Sequence, residues 1–384
     1  MSIDKEIIRL RRHFHSNPEL SGVEFETAAF IEGKLKSLGI SSKRLAKTGV
    51  VGLIKGKKNS KTIALRADID ALPITEENDV SYKSKNEGIM HACGHDCHAA
   101  IMLGAAEILS KKKESLLGNV KLIFQPSEEM SGGARAVIKE GCMKNPKVDM
   151  ILGVHVSNKI ASGKIGIKFG AMMAGVDKIH INIAGKMSHG GYPHTGIDSI
   201  CAAAEFILSV QTIVSRQINP LQPAVITIGK IAGGQNYNIV AQSVSMDATV
   251  RTLDEKVRKQ IKQSIIKKLI ALEISYGVKT SIDYIDNADA LINSQEAAEF
   301  CERAAKDFYG EKNVVLIKDA VMGGEDFCEY LKYAPGNFMN VGTYKDKSSS
   351  CPHHNPKFNV DENALPKAAE FIAYTVEKFL SPDC

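Results

Sequence analysis

Between residues 178 and 284 the sequence sets out strand and helix signals in the order βαββαβ, and this block interrupts a longer alternation of strands with helices. Its strands are expected at 178–184, 224–231, 244–251 and 278–284, and its helices at 197–216 and 255–276. Two helices on one antiparallel sheet make the ferredoxin-like arrangement, a self-contained unit that can be inserted into another domain. Upstream, an amphipathic helix at 5–15 stops before Asn17-Pro18, where proline restricts the preceding residue, and a second at 24–38 is ended by Gly39. Strands at 50–55, 62–67, 120–125 and 150–156 then alternate with helices at 98–110 and 132–140. After residue 291 a helix at 296–309, a strand at 338–343 and a helix at 365–380 resume the pattern. The expected fold is α/β, with a layered domain of residues 1–176 plus 288–384 and an inserted ferredoxin-like βαββαβ domain at 177–287. Two domains also suit a chain of 384 residues, since single cores stop growing near roughly 250–300.

Charge and cysteine usage narrow the functional classes. The net charge of +5 is the small difference of 49 basic and 44 acidic residues, and the Lys clusters at 55–58 and 111–113 lack interleaved aromatics, so no nucleic-acid partner is expected. The N-terminal segment has no apolar signal region and no stretch approaches about 18 consecutive apolar residues, so no membrane association and a cytoplasmic location are expected. Eight cysteines, at 93, 97, 142, 201, 301, 328, 351 and 384, are too scattered for a disulfide framework; most are expected to be small buried hydrophobes.

The densest chemistry is His91-Ala92-Cys93-Gly94-His95-Asp96-Cys97-His98, five ligand-type side chains within eight residues, just before an apolar helix. Thiolate and imidazole both suit zinc and similar cations, and Cys93 and His95 would point the same way if that stretch is extended. A structural zinc site or a reactive thiol is the other reading, although closed structural sites show two separated Cys/His pairs and only one cluster is present. In Gln125-Pro126-Ser127-Glu128-Glu129, two adjacent carboxylates follow a buried strand, where α/β folds gather active residues. One can ligate a metal while its neighbour serves as general base; alone, the pair reads first as a solvated loop and gains its weight only from the company of other motifs. Gly153-Val154-His155 at a strand end, Arg66-Ala67-Asp68-Ile69-Asp70 after another, and His353-His354-Asn355-Pro356 near the C-terminus add further ligand types, and together these strings point to a metal centre.

In combination, and with Arg11-Arg12-His13-Phe14-His15 and Gly323-Gly324-Glu325-Asp326-Phe327, they resemble the amidohydrolase branch of the aminoacylase and carboxypeptidase family of co-catalytic metallohydrolases. The branch includes hippurate hydrolases, indoleacetyl-amino-acid hydrolases, N-acetyldiaminopimelate deacetylases and thermostable carboxypeptidases, and the similarity spans essentially the whole chain. The resemblance implies two divalent cations per subunit, zinc or manganese, with cobalt or nickel also accepted. Cys93, His95, Glu129, His155 and His354 would be their ligands and Glu128 the general base. His353 lies beside the motif histidine; His354 is preferred because it stands two residues before Pro356. Asp68 and Asp70 would support the ligands, and Cys97 would be packing. The inserted domain would act as lid and dimerisation domain, bringing His189 to stabilise an oxyanion, from its own or a partner subunit, with Asn238 and Arg251 binding substrate. The implied activity is hydrolysis of the amide bond of N-acyl amino acids by a homodimer or higher homo-oligomer. The alternatives are a metallo-carboxypeptidase or dipeptidase acting on short peptides, and a non-catalytic metal- or peptide-binding protein.

Overall fold

The computed structural model describes residues 2–58 and 60–381; Cys384 lies outside them. In chain order the elements are α1 (Ile3–Ser16), α2 (Phe25–Ser37), β1 (Ser41–Leu45), β2 (Gly49–Ile54), β3 (Thr62–Asp68), α3 (His95–Lys111), β4 (Asn119–Gln125), α4 (Gly133–Lys139), β5 (Met150–Ala161), β6 (Ile165–Ile167), β7 (Gly170–Met173), β8 (Gly175–Ala184), β9 (Ser188–His189), α5 (Ser199–Gln217), β10 (Ala224–Gly233), β11 (Ile239–Val240), β12 (Ser243–Thr252), α6 (Glu255–Tyr276), β13 (Lys279–Ala288), β14 (Leu291–Asn293), α7 (Gln295–Tyr309), β15 (Val314–Leu316), β16 (Gly336–Tyr344) and α8 (Ala364–Phe379). They form two compact units, the second made of Ala171–Leu291 with Ala320–Glu325.

The first unit is built on a mixed sheet of eight strands in the order β1-β2-β4-β3-β5-β16-β6-β15. Its centre is parallel, β4 beside β3, β3 beside β5 and β5 beside β16, and β3 and β4 are buried along their whole lengths. A strand covered on both faces reads as a continuous apolar run, as Val120 to Phe124 does. Helix α3 is buried at nearly every residue down to Ala106, so it is apolar all round rather than striped, and it packs between α1 and α8. Burying each of its large side chains, Ile101, Leu103 and Leu109 among them, stabilises the unit by about 1.5–3 kcal/mol.

The second unit is an antiparallel sheet in the order β10-β12-β8-β13 with a core drawn from α5 and α6. Numbered within the unit, that order is 2-3-1-4, the ferredoxin-like arrangement expected from the βαββαβ pattern. Alternate residues of β12 are buried, the period of 2 that one covered sheet face imposes. In α6 the buried set Val257, Ile261, Ile265, Leu269 and Leu272 follows the helical period. Asp254 caps its first turn through the N–H groups of Lys256 and Val257, and Gly277, at φ 71°, ends it. Helix α5 has the length and apolarity of a membrane span, yet it lays Ala202, Ala203, Phe206, Val210 and Ile213 into this core.

Three boundaries differ from the sequence expectation in ways that matter below. Helix α3 begins at His95 rather than residue 98, and Gly94, at φ 95°, turns the chain into it. The Cys93–His95 stretch is therefore not extended. Strand β5 continues to Ala161, so His155 lies within the strand and not at its end. The edge strand β1, with the polar sequence Ser-Ser-Lys-Arg-Leu, gave no strand signal.

Candidate active site

The carboxyl ends of β3 and β4, the middle of β5 at His155 and the first turn of α3 meet in the first unit, and the loop before α8 joins them. Gly94 lets Cys93 and His95 approach one pocket across a left-handed turn, where an added Cβ would lie 2.3 Å from Val156 Cγ2. Past β4, Ser127 adopts φ 54°, an unusual conformation held by its N–H donating to Glu24 Oε1 at 2.8 Å. That turn delivers Glu128 and Glu129. The C-terminal loop is fastened by the His354 N–H, which donates to the Ala92 carbonyl at 2.8 Å.

Five side chains expected as ligands converge there. Cys93 Sγ lies 3.5 Å from His155 Nε2, and His354 Nε2 lies 3.3 Å from Glu129 Oε1. Groups that could hold a cation include Cys93 with His95 and His155, and Cys93 with Glu129 and His354. The two adjacent carboxylates do not diverge: Glu128 Oε2 and Glu129 Oε1 stand 4.0 and 3.9 Å from His95 Nε2. Glu129 also reaches His354. His353 instead points Nε2 at the Val156 carbonyl, 3.1 Å away.

Protonation is set by burial and by the carboxylates. Burial pushes the Cys93 thiol pKa well up, and it drives His155 well below the usual imidazole value, helped by His98 and His353. Burial opposes a charge on His95 too, but Asp68, Cys93 and Asp70 outweigh it and raise that pKa. The hydrogen bond to Glu129 raises His354. His95 Nδ1 faces the Asp70 carbonyl at 2.9 Å and Asp70 Oδ1 at 3.1 Å, which leaves a buried Nε2 with no hydrogen-bond partner among the described residues. A buried, unpartnered nitrogen beside a thiol and carboxylates is a donor set that fits divalent cations.

Asp70 couples the parts, since its Oδ2 also accepts the Glu129 N–H at 3.0 Å and the Ser21 hydroxyl at 2.7 Å. Asp68 faces His98 at 2.5 Å and Arg66 at 2.7 Å. Behind the motif, Asp96 Oδ2 accepts from Arg11 Nε at 2.9 Å and lies 2.7 Å from His15 Nδ1, while His15 Nε2 lies 3.0 Å from Glu76. Arg11 and His15 are buried, and removing one partner of such a network typically costs about 3–5 kcal/mol. No role for Arg11 or His15 is legible in the sequence, because a buried arginine inside α1, two turns before Pro18, leaves no periodic signal. Of the remaining motif residues, Cys97 is buried, and His91 is buried with neither ring nitrogen partnered among the described residues, burial bringing its pKa down to about 4.

The residues expected from the inserted domain lie in the second unit. His189, in β9, is opposite Ile239 of β11, and its Nδ1 accepts the Gly191 N–H at 2.9 Å. The Asn238 carbonyl, in the turn just before β11, accepts the Gly190 N–H at 2.7 Å, which ties Asn238 to the residue that follows His189. Arg251 in β12 donates to Thr249 Oγ1 at 3.3 Å and pairs with no carboxylate among the described residues; burial lowers its pKa.

Residues 64–378 match peptidase family M20/M25/M40. The N-acetyl-L-cysteine deacetylase of Bacillus subtilis (strain 168) is 41% identical over 380 residues, covering 99% of this chain and 89% of its own length. The IAA-amino acid hydrolase ILR1-like 4 of Arabidopsis thaliana is 36% identical, covering 97% and 86%. The crystal structure of the YXEP protein of Bacillus subtilis, described as a dinuclear metal-binding peptidase of the M20 family, superposes with a TM-score of 0.86 at 32% identity over 98% of each chain. The chain therefore belongs to the M20/M25/M40 peptidase family, as one of its metal-dependent amidohydrolases.

Proposed function

We propose that the protein hydrolyses the amide bond of small N-acyl amino acids, with Glu128 as general base and Cys93, His95, Glu129, His155 and His354 holding two divalent cations. The observation that carries this is the convergence of five donor side chains, from four separate segments, around a buried His95 Nε2, with the Glu128 carboxylate 4.0 Å from it. The N-acyl amino acid relatives support the substrate class. Bound cations would supply Lewis acidity toward the acyl carbonyl and water; zinc, manganese, cobalt and nickel all suit the mixed S, N and O donors.

Glu128 takes the proton of the attacking water and returns it to the leaving amine, the service a carboxylate in hydrogen-bond reach performs. His189 donates to the oxygen on which negative charge develops, and Asn238 steadies the acyl group beside it. Arg251, with no acidic partner among the described residues, pairs with the substrate carboxylate. The division of labour is tested by two substitutions: Glu128→Gln retains both ions and loses most turnover, whereas Glu129→Ala loses ion occupancy. Equal ion loss in both would remove the assignment. Metal-free protein reloaded separately with zinc and manganese should cleave N-acetyl and N-benzoyl amino acids, and preferential cleavage of unblocked peptides would favour the peptidase reading.

We further propose self-association through β10. It is an edge strand of ten residues, with Val225 and Ile231 exposed, and such an edge invites antiparallel pairing with a second copy. A monomeric mass by light scattering at micromolar concentration would refute this.

A further inference from the structure

We infer that Asp68 and His98 are positioning residues: through the backbone N–H and C=O of Val156 they hold His155 in the tautomer that presents Nε2 to the cations. The inference rests on the proposed ligand role of His155.

The ladder between β3 and β5 ends at the pair Arg66 and Gly153, so β5 runs on past its neighbour. Val156 lies beyond that point and is fully buried, where its N–H and C=O both need partners. Its N–H donates to His98 Nε2 at 2.9 Å. An amide N–H can only donate, so Nε2 carries the lone pair and the ring proton sits on Nδ1, donated to Asp68 Oδ1 at 2.5 Å. Asp68 is in turn held by Arg66 Nη1 at 2.7 Å, and Arg66 by Gln125 Oε1 at 2.8 Å and Asp326 Oδ1 at 3.0 Å. With both nitrogens committed, His98 has no lone pair left for a cation, although it belongs to the same ligand-rich motif as Cys93 and His95.

The Val156 carbonyl faces His155 Nδ1 at 2.8 Å and His353 Nε2 at 3.1 Å. A carbonyl can only accept, so the His155 proton is on Nδ1 and the lone pair on Nε2, the atom 3.5 Å from Cys93 Sγ. In an extended strand the N–H and C=O of one residue point to the same edge. Anchoring the N–H through His98 therefore also fixes the carbonyl that selects the His155 tautomer. The N–H and C=O of one residue orient three histidines, and the charge behind that arrangement is Asp68.

Asp68→Asn tests this on the full-length, metal-loaded protein. The amide would donate its NH2 to His98 Nδ1, move the ring proton to Nε2 and set it against the Val156 N–H, the wrong-tautomer effect of replacing a histidine-orienting aspartate by asparagine. Losses of the second layer around a metal typically weaken binding about 10–100-fold. The expected result is a loss of that size for one of the two ions in chelator competition, with the other near wild type. In histidine-labelled zinc protein, the protected Nδ1–H resonance of His155 should also exchange with solvent. His98→Gln, which leaves the Arg66–Asp68 pair intact, tests the same link should Asp68→Asn fail to fold, and the same weakening is expected. Unchanged ion affinity together with a still-protected His155 Nδ1–H in a folded variant overturns the inference. His155→Ala separates the two levels: if it keeps both ions, the ligand reading falls; if it loses one while Asp68→Asn and His98→Gln keep both, only the positioning role falls.

Discussion

Gly94→Ala probes the narrowest point of the site. At φ 95° an alanine is strained by about 1–2 kcal/mol, because the left-handed region crowds Cβ against the backbone. The new methyl would also stand 2.3 Å from Val156 Cγ2, well inside contact distance. Val156 is fully buried and β-branched, so its side chain cannot rotate away, and forcing a methyl into such a core costs about 1–3 kcal/mol. The two contributions give about 2–5 kcal/mol of destabilisation, set against a typical total of about 5–15 kcal/mol, so the variant should fold but weakly. Because the residue joins Cys93 to His95, ion content should fall as well. Urea unfolding with elemental analysis of dialysed protein measures both. Gly33→Ala is the control: in α2, with nothing within 4 Å of its added Cβ, it should be neutral or stabilising by about 0.5–1 kcal/mol. In Gly94→Ala/Val156→Ala the clash is relieved but the strain is not, so the double variant should be less destabilised than the sum of the singles. A Gly94→Ala protein of wild-type stability with its full complement of ions would refute the reasoning.

His189→Ala should lower kcat by about 10²–10³, the usual effect of removing one oxyanion donor, and leave ion content intact, because all five proposed ligands lie in the other unit; full activity would exclude it from the reaction. Arg251→Met should raise KM for N-acetyl amino acids while barely changing cleavage of their neutral amide analogues. Equal effects on both substrates would mean that Arg251 does not read the carboxylate.

The fold was legible wherever one period dominated. Helix α6 was expected at 255–276 and is observed over those residues because its apolar stripe is regular and its caps, Asp254 and Gly277, are of the favoured types. The start of α3 was misplaced because ligand residues, not apolar ones, occupy its first turn, and no periodicity marks a helix that opens with His95, Asp96 and His98. Edge strand β1 was missed because it is exposed and polar. At the site, the local string around Cys93 announced metal chemistry, but nothing local connects Glu129 with His354. The role proposed for Val156 is out of reach in principle, since it acts through its backbone N–H and C=O and its side chain reads as ordinary core. Arg66 and Asp68, two charges inside a central strand, were the visible anomaly: such residues are buried only when paired, and their partners lie at Gln125, Asp326 and His98.

The spread of the proposed donors along the chain, from Cys93 to His354, has a bearing on biosynthesis. Four of the five lie at or before His155, but the fifth comes far downstream, just before α8, which packs against α1 and α3. A nascent chain that has not yet reached His354 carries only a thiol, two imidazoles and a carboxylate of the proposed set, so capture of the full complement of ions waits until that distant loop docks.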